Sequence, residues 1–154
     1  MHFFRMAILA AATLLSLLAG PASAEEKVPV LIHAGGSAYK FSVEVADDAA
    51  EREQGLMFRE NLAPNEGMLF LYPAAKQVAF WMKNTPLPLD MLFIAPDGRI
   101  INVAAMAKPF DEAPIRSEGE AIAVLEILGG SAAQLGIRAG DKVEWPARSA
   151  IPTP

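Results

Sequence analysis

The sequence contains no cysteine. Disulfides and thiolate metal sites are therefore excluded, and so is a lipid attached to an N-terminal cysteine. Histidine is scarce too, because there are two in 154 residues and only His33 lies beyond the N-terminal segment. No Gly-x-Ser-x-Gly, His-Glu-x-x-His or phosphate-binding glycine motif accompanies it, which argues against histidine-based nucleophilic catalysis. Without covalent cross-links, apolar packing must hold the fold together.

The N-terminal segment lacks a hydrophobic run long enough to cross a bilayer comfortably. Its apolar stretch, residues 6–19, falls short of the roughly 20 residues that a membrane-spanning helix needs. Arg5 precedes the stretch and Ala-Ser-Ala follows it at residues 22–24, which is the layout of a secretory signal. We therefore expect residues 1–24 to be a signal peptide cleaved after Ala24. The mature protein would then be periplasmic or secreted, with no stable membrane insertion.

Basic residues are in the minority. The formal net charge is −5, and loss of Arg5 with the leader lowers it to −6, with acids and bases interspersed. Nucleic acid and anionic membranes are poor partners for such a surface, so the expected partner is an unknown small molecule or a protein. No cofactor is indicated. We predict one globular domain over residues 25–146 and a flexible, proline-rich tail over residues 147–154.

Short β-type runs dominate the mature chain. Gly35-Gly36-Ser37 separates two of them and predicts a hairpin, and Pro96-Asp97-Gly98 predicts a second one. The strand-like runs are residues 28–33, 39–45, 68–72, 78–83, 89–94, 100–105, 121–128 and 142–145. This succession predicts a mainly β domain (α+β at most): a small closed or partly closed β-barrel of about six to eight short strands.

One or two short helices complete the predicted fold. Asp47 or Asp48 can cap a helix over residues 49–54, and Gly55 is placed to end it in a left-handed conformation. Residues 131–135 can form one more helical turn, which Gly136 would stop.

An aromatic and basic pair marks the best candidate for a binding surface. If residues 78–83 form a strand, Trp81 and Lys83 share one face, and the polar Asn84 follows at once. The indole offers a flat apolar wall and the ammonium a charge. We therefore predict a surface cleft beside Trp81 and Lys83, with Asn84 and Asp90 at its rim.

Two carboxylates interrupt otherwise apolar strands, at Asp90 and Glu126. A buried charge is costly unless it is paired, so each should have a partner, for which Lys83, Arg52 and Arg59 are the candidates. A structural network of ion pairs and a functional site built from these residues both remain open.

The sequence leaves three functions open. The absence of catalytic motifs favours a non-enzymatic binding or accessory module without a metal. The alternative is a small hydrolase in which Asp90 and Glu126 divide the acid and base roles. The second alternative is a periplasmic Cu(I)-binding protein, because thioethers suit Cu(I), although methionine is also a common filler of irregular cores. The methionines in question are Met57, Met68, Met82, Met91 and Met106.

Several short segments together resemble a known family of bacterial and archaeal proteins. They are residues 53–59 (EQGLMFR), 67–70 (GMLF), 80–85 (FWMKNT), 87–90 (LPLD), 125–126 (LE), 136–137 (GI) and 140–141 (GD). The chain resembles the domain of unknown function 192 family, also called uncharacterised protein family 0127, over about residues 28–145. The resemblance implies a compact, mainly β fold and no established activity, and within it the loop of residues 108–120 is not matched residue by residue.

The signal-peptide interpretation makes a direct prediction. Because Ala-Ser-Ala at 22–24 fits a signal-peptidase site, protein recovered from the periplasm should begin at Glu25. Intact-mass measurement checks this, and a periplasmic species that retains residues 1–24 would contradict it.

Overall fold

The computed structural model describes residues 27–147. The predicted signal peptide, residues 1–24, and residues 148–154 of the predicted tail lie outside these residues. Within the described part, no helix is long and apolar enough to cross a membrane.

Residues 27–147 form nine strands and two short helices, which confirms the predicted mainly β class. The strands are β1 (Val28–Ala34), β2 (Ser37–Ala46), β3 (Glu66–Lys76), β4 (Ala79–Phe80), β5 (Leu89–Ile94), β6 (Ile100–Ala107), β7 (Ile115–Arg116), β8 (Ala121–Leu128) and β9 (Lys142–Glu144). The helices are α1 (Ala49–Gln54) and α2 (Ser131–Leu135). The short β7 was not predicted from the sequence.

Seven of the strands form one sheet in the order β6-β5-β8-β3-β2-β1-β9, and β4 pairs with β7 separately. Both predicted hairpins are confirmed, as β1–β2 and β5–β6. The two edges of the sheet meet at one end, where Arg99 bridges Lys142 and the Ile100 N–H donates to the Asp141 carbonyl at 2.9 Å. The sheet therefore curls into the predicted barrel-like form.

The sheet separates two apolar cores. Every strand of the large sheet contributes to the first core, for example through Ile32, Leu92 and Leu125. The second core lies on the opposite face of β3, β5 and β8, because side chains alternate along a strand. It includes Phe70, Met82, Met91, Phe93 and Val124, and the segments around α1 and β4 cover it.

Local sequence signals explain the two helices. Asp48 caps α1: its carboxylate accepts the Glu51 N–H at 2.8 Å, and the Glu51 side chain accepts the Asp48 N–H at 3.2 Å. Gly136 ends α2 in the left-handed conformation. Gly55 ends α1 at φ 48° and ψ −135°, outside the predicted left-handed region. A Cβ there would lie 3.1 Å from the Phe70 ring, so the close approach also requires glycine.

The strand predicted over residues 78–83 is wrong in length, because β4 ends at Phe80. The next residues turn away from strand pairing: the Met82 N–H donates to the Asp111 carbonyl at 2.7 Å, and Asn84 has a φ of 54°. The alternation inferred for Trp81 and Lys83 therefore does not apply.

Candidate functional site

A cleft opens at the surface beside the second core, between α1, β3, β4 and β8. The cleft is shallow, with a cavity volume of about 30 Å³. The lining comes from four separate stretches of chain: Arg52, Glu53, Gln54, Gly55, Leu56, Met57, Phe70, Phe80, Trp81, Thr85 and Glu126. Predicted candidates Arg52, Trp81 and Glu126 thus meet at one place.

Glu126 is a buried carboxyl at the wall of this cleft. Alternation along β8 directs Val124 to the second core and Glu126 to the same face. Met68 on β3 and Met91 on β5 lie beside it in register. Gly67 lets β3 come this close, because a Cβ there would lie 2.3 Å from the Glu126 carbonyl oxygen.

Glu126 has no ion-pair or hydrogen-bond partner among residues 27–147. The residue is 3% exposed. Glu126 is nevertheless one of the residues that line the cleft. Burial raises the pKa of this carboxyl to about 8. The group is therefore mostly protonated at pH 7, and it can donate as well as accept a hydrogen bond.

The predicted cationic partners of Glu126 are engaged elsewhere. Arg52 donates from Nη1 to the carbonyl oxygens of Asp47, at 2.6 Å, and Leu71, at 2.9 Å, and its guanidinium lies 5.3 Å from the centre of the Tyr72 ring. Arg59 binds Glu44 through two bonds of 2.7 and 2.6 Å. The expectation that Arg52 or Arg59 pairs with Glu126 or Asp90 is therefore wrong.

Trp81 and Lys83 do lie together, although not through strand alternation. The Lys83 Nζ is 4.9 Å from the centre of the Trp81 ring, and Trp81, at 45% exposure, forms part of the cleft wall. Asn84 positions the chain beside the cleft: its carbonyl accepts the Phe58 N–H at 2.7 Å, and its Nδ2 is 3.9 Å from the Met57 sulfur.

Asp90 lies on the other face of the sheet and is fully buried. Its carboxylate accepts three main-chain N–H groups, from Met106 at 2.8 Å, Gly130 at 3.0 Å and Ala132 at 2.8 Å. These bonds tie the end of β6 to the start of α2. The predicted cationic partner is wrong because main-chain donors satisfy the carboxylate, and the predicted place at the cleft rim is wrong as well.

The two carboxylates of the hydrolase alternative are therefore apart. Along β5, Asp90 lies on the same face as Leu92 and Ile94 of the first core, while Glu126 faces the second core. A sheet separates the two groups, so they cannot share acid and base roles on one substrate.

The methionines have packing roles in most places. Met68, Met82 and Met91 are buried in the second core, whereas Met106 is 57% exposed. Within residues 27–147, no group of three or more histidine, aspartate or glutamate side chains could hold a metal ion.

Sequence reasoning missed several residues of the cleft wall, among them Glu53, Gln54, Met57 and Thr85. A usable signal was nevertheless present, since all of the lining except Arg52 falls within the segments that carry the family resemblance. These segments are distant in the sequence, carry the same family resemblance and lie together in the fold. Such a set of segments indicates one common feature, which here is the cleft.

The fold and the cleft together define a small β domain of barrel type with one buried carboxyl at an open surface site. The family model of DUF192, described as an uncharacterized ACR, matches residues 30–145. The chain belongs to the DUF192 family.

The solved structures similar to this chain include the following two. A protein of unknown function from Novosphingobium aromaticivorans DSM 12444 is 47% identical, with 82% of this chain and 90% of that chain covered and a TM-score of 0.78. A candidate transcription regulator from Sinorhizobium meliloti 1021 is 44% identical, with 77% and 93% covered and a TM-score of 0.76. No curated protein matches the chain.

Two substitutions test whether Asp90 stabilises the fold and whether Lys83 does not. Asp90→Asn places an amide against three main-chain donors, so we expect the free energy of unfolding to fall by about 3 kcal/mol or more. Lys83→Ala removes an exposed side chain and should change it by less than about 0.5 kcal/mol. Urea unfolding of both variants beside the wild type measures this, and equal losses in the two would contradict the assignment.

Glu126 makes the stability of the protein depend on pH. Its carboxyl titrates near 4.5 when unfolded and near 8 when folded, so the folded state binds the extra proton between these values and loses stability as pH rises through them. Glu126→Gln cannot ionise. We expect the free energies of unfolding of the variant and the wild type to be most similar near pH 4.5. By pH 9 the value for the variant should have risen relative to that of the wild type by up to roughly 5 kcal/mol. Parallel pH profiles for the two proteins in urea unfolding would refute this role of Glu126.

Proposed function

We propose that this chain is a secreted or periplasmic binding domain, without catalytic activity, that holds a small polar group of its ligand against the carboxyl of Glu126. The observation that carries the proposal is a buried carboxyl that has no partner among residues 27–147 and lies in the lining of the cleft. Buried polar groups are nearly always hydrogen-bonded in folded proteins. A site that leaves one open toward solvent is arranged for a group that arrives from outside.

The surroundings of Glu126 support binding more than catalysis. A carboxyl-based hydrolase divides its work between two groups in different environments, and Asp90 is on the far face of the sheet. The lining combines the buried carboxyl of Glu126 with aromatic side chains such as Phe70, Phe80 and Trp81, and with polar side chains of α1. Aromatic walls and a few polar groups that orient a ligand are features of small-ligand sites.

Exposed aromatic residues extend the site beyond the cleft. Phe58 and Phe110 are 73% and 64% exposed, and they flank one short segment, because their N–H groups donate to the carbonyls of Asn84 and Thr85. Phe58, Asn84 and Phe110 all have positive φ. Such a backbone is unfavourable for residues other than glycine and is characteristic of functional sites. A ligand larger than the cleft would meet these rings.

The proposed location outside the cytoplasm is supported by the signal-like segment over residues 1–24. The description of the Sinorhizobium meliloti relative raises transcription regulation as another function. The excess of acidic residues in this chain, with a net charge of −5, disfavours contact with a phosphate backbone.

The proposal predicts saturable binding of small probes at the cleft. Propylammonium chloride, 1-propanol and sodium propionate share a three-carbon chain and differ in the polar group. We expect at least one of them to shift the NMR signal of the Met57 methyl group, which lines the cleft, in protein labelled with ¹³C at the methionine methyls. The Met106 methyl, which lies beside Gly130, is the internal control.

Matched variants locate the binding. Trp81→Leu removes the flat wall of the cleft. It should raise the Kd of that probe about tenfold or more, which is a loss of about 1.4 kcal/mol or more of binding free energy. Arg138→Ala, at an exposed position outside the cleft lining, should leave it unchanged. If none of the three probes gives a saturable shift at Met57, the proposed binding function is wrong.

A further inference from the structure

We propose that the cleft binds an organic ammonium group, with the Glu126 carboxylate as its counter-ion and the Trp81 ring as its aromatic wall. This inference rests on the proposed binding function and names its ligand class, a primary alkylamine in its protonated form. The amine can belong to a small molecule or to the lysine side chain of a polypeptide. The shared chemistry is a positive charge on a short apolar stem.

The first support is what Glu126 lacks. An isolated carboxylate in an apolar setting is unfavourable unless a cation pairs with it. The two nearby arginines, Arg52 and Arg59, are directed to main-chain carbonyls and to Glu44. The fold therefore provides a buried carboxyl that has no cation beside it for its ionised form, and leaves that cation to come from outside the described chain.

The second support is the aromatic lining. An ammonium or guanidinium group over the face of an aromatic ring is attracted by the ring's charge distribution, and tryptophan is the best of the aromatic residues for this. Trp81 already attracts one such group, since the Lys83 ammonium lies 4.9 Å from its ring centre. Phe70 and Phe80, 5.0 Å apart and nearly perpendicular, form an adjacent wall suited to an alkyl stem.

The third support is the balance of charge around the carboxyl. Of the other charged residues in the lining, Arg52 and Glu53 have opposite signs and offset each other. Glu44 and Arg59 form their own pair beyond Met68, and Tyr72, whose pKa burial raises, is neutral. The Lys83 ammonium lies over the Trp81 ring, and Lys83 is not part of the lining. With Glu126 ionised, the lining carries one net negative charge, which a monocation neutralises and an anion does not.

Binding is then coupled to a proton. Glu126 is mostly protonated at pH 7, so an arriving ammonium group displaces the carboxyl proton to solvent and leaves an ion pair. Affinity should rise with pH until the carboxyl is ionised in the free protein as well. About 3% of the molecules are ionised at pH 6.5 and about 90% at pH 9, given a pKa of about 8. Only molecules with an ionised Glu126 can form the ion pair, so propylammonium should bind roughly thirty-fold more tightly at pH 9 than at pH 6.5.

The experiment is a titration of the methionine-labelled protein with propylammonium chloride at pH 6.5 and pH 9, with 1-propanol and sodium propionate as matched probes. The methyl signals remain observable at both pH values. We expect the thirty-fold rise for propylammonium only, with release of close to one proton per ligand at pH 6.5. Glu126→Gln should abolish the pH dependence, and Lys83→Gln should retain it.

A tripeptide with lysine between two phenylalanines, blocked at both ends, distinguishes the two sources of the amine. Tighter binding than propylammonium, lost in Phe58→Ser, supports a polypeptide lysine that also contacts the exposed rings. Equal binding supports a small amine. Preferential binding of 1-propanol or propionate would overturn the ammonium assignment while leaving the binding function intact. Binding of propylammonium that is independent of pH, or unchanged in Glu126→Gln, would overturn it too.

Discussion

The structure depends on β8, a central strand that is buried on both faces between β3 and β5. From Ala123 onward, its odd-numbered residues, such as Leu125 and Ile127, belong to the first core, while Val124 and Glu126 face the second. Gly67 allows β3 to approach its main chain closely. A shift of one residue in this strand would exchange the two faces. The register that closes the first core therefore also places Glu126, the one ionisable residue of β8, on the side where the cleft opens.

Much of the fold could be predicted from local patterns. The hairpin signals at Gly35-Gly36 and Pro96-Asp97-Gly98, the cap at Asp48 and the apolar run of β8 each depend on neighbouring residues, and all are confirmed. The parallel pairing of β2 with β3 was not predicted, because it depends on a crossover through α1 rather than on a turn signal. The end of β4 was missed for a similar reason, since a carbonyl of a distant loop, at Asp111, accepts the Met82 N–H.

The site was predictable in its residue types and not in its pairings. An acidic residue in an apolar strand indicates a special environment, and both Asp90 and Glu126 have one. Their environments differ in a way that strand patterns do not reveal: main-chain N–H groups surround Asp90, whereas Glu126 has apolar neighbours and a cleft. Arginine partners were expected because a sequence shows which side chains are charged. It does not show which main-chain N–H groups the fold brings close to a carboxylate.

The crossover between β2 and β3 has a consequence for the geometry of the cleft. Residues 52–57, one side of the cleft, belong to this connection, while its two ends are fixed by the parallel pairing of the strands. Leu56 is buried in the second core, and Gly55 lies against the Phe70 ring. This wall of the cleft is therefore anchored to the same core as the floor, set by β8. The width of the cleft follows from how one connection packs on the sheet rather than from a separate loop.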